Sequence, residues 1–269
     1  MLTLIIAVAF SVGCWSLAFF ALDLGLGWSI TLGIVGFAAF QAIFGLIVKK
    51  RVTRDMEKVQ AILVDGQKRI QQKMQRWQVR PPSSIQEAQR EVMADTKVFV
   101  KEALAQAETL ARYRLWVPLI DRQVATAKFQ LNWMIRDWRE VDALMPKAFF
   151  LDPTMMAMRL ARMQMLNAPL DEIGKVYRKA VRRLKYNQNV LPAACYTWIL
   201  VARGEIDAAF KELTEALRNS DDATLKRNHE CLMNNRVAHF NNSGLGDPWY
   251  ALGLEEPKVK MQRQRPVYR

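Results

Sequence analysis

The residues best suited to chemistry are few and scattered. The two histidines, His229 and His239, lie ten residues apart in a helical pattern. His229-Glu230-Cys231 has no second ligand at helical spacing that would complete a metal site. Cys14, Cys195 and Cys231 share no metal-like spacing, and so sparse and odd a set fits buried thiols in a reducing compartment. No phosphate-binding loop, dinucleotide fingerprint or nucleophile elbow occurs. Gly244-Leu245-Gly246 reads as turn chemistry with no strand before it. The acids are numerous but spread over helix surfaces, with no pair set apart as general acid and base. No catalytic residue, metal or cofactor is therefore expected, and a solvated surface explains the charges.

The elements that carry these residues begin with an abrupt change of composition. Residues 1–48 hold one formal charge, Asp23, and no Lys or Arg. The whole chain has a formal net charge of +13, so the excess falls after Val48, and a mean hydropathy of -0.07 averages two unlike parts. Leu2 to Leu22 is a nearly unbroken apolar run, long enough as a helix to cross the ~30 Å hydrocarbon layer of a bilayer. Asp23-Leu24-Gly25-Leu26-Gly27 reads as a tight turn. A second apolar run ends in Lys49-Lys50-Arg51, with Arg54 a turn later. Residues 1–48 thus read as a transmembrane hairpin, with helices over about 2–22 and 28–48. A cleaved signal peptide fits poorly, because no basic residue precedes the run and the run is too long. Ser11-Val12-Gly13-Cys14 departs from a lipidation box at several positions. Lys49, Lys50, Arg51 and Arg54 assign the following domain, and with it both termini, to the cytosolic face, which in a bacterium is that of the inner membrane. Gly33, Gly36, Ala38 and Ala39 offer small surfaces for close helix packing. With no charged pair inside the spans, the hairpin reads as an anchor.

Residues 49–80 form a basic amphipathic juxtamembrane helix. Val52, Met56, Val59, Leu63, Ile70, Met74 and Trp77 recur at helical steps, with Gly66 interrupting them. That stripe suits pairing with a second copy of the chain through residues 49–78, packing on the body of the same chain, or lying on lipid. Pro81-Pro82 ends it, and a linker and helix fill 81–118. Ser84-Ile85-Gln86-Glu87 is a capping box opening a helix that runs to about Tyr113. Trp116-Val117-Pro118 breaks it.

Three segments then line up. Arg136-Asp137-Trp138-Arg139-Glu140-Val141 precedes Lys147-Ala148 and Leu151-Asp152-Pro153. Asp171-Glu172-Ile173 precedes Tyr177-Arg178-Lys179-Ala180. Arg203-Gly204-Glu205-Ile206-Asp207-Ala208-Ala209 precedes Leu213 and Ala216. Ala148, Ala180 and Ala216 stand 32 and 36 residues apart, bracketing the 34-residue period of a helix-turn-helix repeat. In these residues the chain resembles the tetratricopeptide repeat family over roughly 120–220. Gly204 matches the turn glycine, Ala209 and Ala216 the small residues of a second helix, and Leu213 its packing residue. Leu160, Ala161, Tyr177 and Ala180 fit the unit before. In the first unit Trp138, Ala148 and Pro153 fit, and Pro146 departs from the pattern. A degenerate fourth unit is expected from Ala223 to Leu254.

The resemblance implies an all-α fold in which residues 119–254 form a short solenoid of three to four helix pairs, before a basic tail over 255–269. It also implies that the first helix of each unit lines the concave side. Met155, Met158, Arg162 and Met165 would line it in one unit, and Leu191, Ala194 and Trp198 in the next. Simple core packing would place the same residues there. As a groove, a methionine-rich surface adapts to varied peptides. The expected function is a membrane-anchored scaffold for protein–protein interaction at the cytosolic face, with the bilayer and unidentified proteins as partners. A nucleic-acid binder using the basic surface is the alternative and the less favoured partner class. A membrane enzyme comes third.

Overall fold

A computed structural model describes residues 2–20, 25–80, 82–117 and 119–257. Every regular element among them is helical. Of the turn expected over 23–27, Asp23 and Leu24 lie outside the described residues, as does the basic tail beyond residue 257, while Leu26 and Gly27 already belong to a helix. The chain divides into two compact units, Met1–Phe149 and Phe150–Arg269. That boundary falls inside the segment 119–254 read as one repeat domain, because the helices of 120–144 pack within the first unit.

In the first unit α1 (Leu2–Phe20) lies against the start of α2 (Leu26–Val79). Small residues make the contact. Ala7, Ala18 and Ser29 are buried, and the Ser11 hydroxyl donates to the Gly33 carbonyl at 2.8 Å. A Cβ on Gly33 would stand 3.2 Å from Trp15, and one on Gly36 would stand 3.0 Å from the Cys14 sulfur. Ala38 and Ala39, expected to share this role, are exposed instead. Leu4, Ile5, Ile30, Ile34, Ile43 and Leu46 also point outward. Both helices are long and apolar enough to cross a membrane.

α2 continues without a break for 54 residues. At 1.5 Å per residue it is about 81 Å long. Beyond Val48 its apolar stripe packs on the chain itself. Val59 joins Phe99, Val100, Ala103 and Ala107 of α3 (Ile85–Glu108) in one core, with Leu63 and Ile70 at its margin. Lys73 reaches Glu91 and Asp95 of α3 at 2.9 and 2.7 Å. Gly66 does not break the helix. It is a point of close approach of α3, since a Cβ there would overlap the Phe99 ring. The capping box forms in part: the Glu87 amide donates to the Ser84 hydroxyl at 3.1 Å, while the Glu87 carboxylate accepts from the Ser83 amide at 3.2 Å rather than from Ser84.

A 3₁₀ turn (Thr109–Tyr113) follows α3, then α4 (Ile120–Met134) and α5 (Trp138–Leu144). Leu131 of α4 enters the α2–α3 core, and Lys128 pairs with Glu108 at 3.0 Å. α5 stops two residues short of Pro146, which has no amide hydrogen to continue the helical ladder.

The second unit holds α6 (Pro153–Met165), α7 (Leu170–Val181), α8 (Val190–Ala202), α9 (Ile206–Arg218) and α10 (Ala223–Met233), then the short α11 (Asp247–Tyr250). Asp152 caps α6 at the Thr154 and Met155 amides, and Asp222 caps α10 at Thr224 and Leu225. α6 packs on α7 and α8, α8 on α9, and α9 on α10. Its core includes Leu160, Ile173, Ile199, Leu213 and Leu225, all fully buried, with the Tyr177 and Tyr196 rings stacked 4.3 Å apart. The expected fourth unit has its first helix, α10, but its remainder is two 3₁₀ turns and α11.

Gly66→Ala is expected to lower the thermal midpoint of the detergent-solubilised chain, with an overpacking cost of about 1–3 kcal/mol. In a Phe99→Ala background the same change should be neutral or stabilising, because the ring is gone and alanine favours helix. A rise in midpoint with Phe99 present would contradict this packing.

Candidate functional site

The seven residues expected to line a concave surface all lie on α6 and α8, which pack on each other. Met155, Arg162 and Ala194 are buried, and Met158, Met165, Leu191 and Trp198 are half-buried. Local sequence explains the placement. α6 and α8 carry Ala157, Ala161, Ala193 and Ala194, all fully buried, so the helices can approach closely. The thiol of Cys195 donates to the Ala157 carbonyl across that contact at 3.6 Å, and burial pushes it well above its ordinary pKa.

The segment after α10 covers part of this surface. Asn242 donates to the Ala194 carbonyl at 3.1 Å and accepts from Asn228 of α10 at 2.7 Å. Trp249 and Leu252 are fully buried. A Cβ on Gly253 would stand 3.5 Å from the Met165 methyl. Glu255 accepts from both the Trp198 and the Trp249 indoles, at 2.7 and 2.8 Å. Residues 242–255 thus form a strap over the Met165–Trp198 end of the surface. The strap could not be read from periodicity, because its buried side chains sit on turns. Paired asparagines beside a helix, and Trp249 after a glycine-rich turn, were the signals available.

In the first unit, Lys49, Lys50, Arg51 and Arg54 are all exposed on α2. Just beyond them lies a group that composition and motifs do not single out. Asp55 is fully buried. Its carboxylate accepts from Lys58 at 2.9 Å, from the Tyr113 hydroxyl at 2.9 Å, and from Arg112. The Lys58 ammonium, the Tyr113 hydroxyl and the Arg112 guanidinium hold it well below the usual carboxylate range, against the opposing effect of burial. A signal was present in the spacing: Asp55 follows Val52 by three residues and precedes Val59 by four, so it falls on the apolar stripe.

The histidines are apart from both regions. His229 stacks on Phe210 at 4.6 Å with its Nε2 3.0 Å from the Thr214 hydroxyl, and His239 is exposed. Among the described residues no three His, Cys, Asp or Glu side chains gather as metal ligands. No protein-family model, curated protein or solved structure matches the chain.

The Asp55 clamp makes stability pH-dependent with a definite sign. Its folded pKa is depressed from 3.8, so its contribution is complete above that value and is lost as pH falls from there through the lower, folded pKa. The thermal midpoint of the native chain should therefore fall more steeply below about pH 4 than that of Asp55→Asn, which should be the less stable at pH 7. Parallel pH curves would contradict the clamp.

Proposed function

We propose that this chain is a membrane-anchored helical-repeat scaffold. The α1–α2 hairpin holds it in the bilayer with both ends cytosolic, and the α6–α8 surface receives protein partners. The observation that supports the repeat reading most is a recurring turn. The chain leaves α4 through Arg136 (φ 56°), α6 through Asn167 (φ 52°), α8 through Gly204 (φ 82°) and α10 through Asn235 (φ 52°). Left-handed residues after a helix are the usual way to turn the backbone sharply. A new helix or 3₁₀ turn starts two or three residues later each time. Such spacing is that of tetratricopeptide-like helix pairs, whose stacks serve as extended binding surfaces.

The anchor is supported by α1 and the first part of α2, where large apolar side chains face outward and small ones face each other. Lys49, Lys50, Arg51 and Arg54 come directly after the second span, which favours the cytosolic side for the rest of the chain. The strap suggests how a partner would be admitted. Met158 and Leu191 are half-buried, whereas Trp198 is bonded to Glu255 of the strap and Met165 lies against its Gly253.

The test uses the full-length chain in its native membrane, with a photo-crosslinking residue at Met158 or, as a control, at exposed Lys179 on α7. One reproducible protein adduct is expected at 158 and none at 179. Glu255→Ala, which frees both indoles, is expected to raise the yield at 158. No adduct at 158, or equal adducts at both positions, would count against the α6–α8 surface.

A further inference from the structure

Where α2 leaves its apolar stretch, the first unit contains an open cleft of about 510 Å³. Binding sites for small ligands run from roughly 300 to 1,000 Å³. One face of α2 forms its floor, through Gln41, Phe44, Gly45, Val48, Lys49, Val52 and Thr53, at the three- and four-residue steps of a helix. Trp116 and Val117 form a side wall, with the Trp116 ring 5.3 Å from that of Phe44. Tyr113, clamped to Asp55, and Leu110 belong to the same core as Val48 and fix that wall.

The cleft is amphiphilic along the helix. Its lower part is apolar apart from Gln41, and its upper rim carries Lys49 and Thr53. Residues 41–54 contain four cations, Lys49, Lys50, Arg51 and Arg54, and no acid. The first acid, Asp55, is already engaged by Lys58, Arg112 and Tyr113. Lys49 has no ion pair among the described residues, so the rim carries uncompensated positive charge. Gln41 marks the deep end of the cleft, about 12 Å below Lys49 along α2. It is the only side-chain amide in residues 1–48, it is half-buried, and it has no hydrogen bond among the described residues. An amide in hydrocarbon needs a partner.

We propose that this cleft holds one anionic phospholipid, its acyl chain against Phe44, Val48 and Trp116 and its phosphate at Lys49. A free inorganic anion would leave the apolar floor wet, and a neutral lipid would leave the cations unmatched. The site rests on the reading of α1 and α2 as membrane spans, and it makes the basic juncture a specific lipid contact rather than a diffuse one.

Native mass spectrometry of the full-length chain in mild detergent tests it, with phosphatidylglycerol or phosphatidylcholine added. One phosphatidylglycerol per chain is expected to persist at collision energies that strip phosphatidylcholine. Lys49→Gln should weaken retention about fivefold, as expected for one basic residue at an anionic surface. Lys50→Gln, off the cleft face, should not. Gly45→Leu should abolish retention, since a Cβ at Gly45 meets nothing within 4 Å and the side chain can fill the cleft without displacing it. Equal retention of the two lipids, or retention unchanged by Gly45→Leu, would overturn the site. Alkaline carbonate extraction separates the two failures. A chain released by carbonate refutes the membrane reading, while a chain that resists carbonate and retains no phosphatidylglycerol refutes the lipid site alone.

Discussion

One unbroken helix, α2, carries two unlike surfaces, and the first unit is arranged around that constraint. Its first half presents Ile30, Ile34, Ile43 and Leu46 outward and keeps Ser29 and Gly33 for contact with α1. Its second half turns an apolar stripe toward α3 and surrounds it with charge. Nothing in the backbone marks the change. The side chains do, between Val48 and Lys49. At that juncture α2 is fixed sideways by two contacts of different character. Phe44 and Val48 meet Trp116 and Leu110 through apolar surface, while Asp55 meets Arg112 and Tyr113 through hydrogen-bonded charge.

Burying a carboxylate is costly unless its oxygens are fully engaged. Asp55 has three donors, two of them cationic and half-exposed. The arrangement gives direction more than strength: only one rotation of α2 brings Val59, Gly66 and Lys73 against α3 and Asp55 against the 3₁₀ turn that follows it. Gly66 makes the same selection by shape, since Phe99 fits where a methyl group would not. In the second unit a neutral network has the corresponding role. Asn228, Asn242 and the Ala194 carbonyl hold the strap to α10 and α8, and Glu255 holds both indoles.

Much of this architecture was legible in the chain. The all-α class, the two apolar helices and the helix pairs around Gly204 follow from period and composition, because each depends on contacts within a few residues. The start of α3 was legible at Ser84 for the same reason, whereas the helix expected to run through Pro146 to Ala148 ends at Leu144. Three features were not. Gly66 looked like an interruption because its partner, Phe99, is 33 residues away and nothing local announces it. Asp55 looked like one charge among many, although its place on the apolar stripe was a usable warning. The strap was hidden because turns have no periodicity, so the burial of Trp249 and Leu252 leaves no pattern. The methionines of α6 show the limit of position as a guide to role. Met155 belongs to the core and Met158 to its margin, three residues along one helix.

The central claim is that lipid, not protein, covers the apolar first half of α2. Single cysteines at 30, 34, 43, 46, 50, 58 and 68, in a full-length chain with Cys14, Cys195 and Cys231 replaced by serine and reconstituted in vesicles, test it with a membrane-impermeant maleimide. All seven positions are exposed in the structure, so the chain itself shields none of them. Positions 30, 34, 43 and 46 are expected to remain unlabelled until detergent is added, while 50, 58 and 68 react, with the boundary between Ile47 and Lys50. Labelling of 30–46 in intact vesicles at the rate of 58 would contradict the membrane anchor and everything built on it.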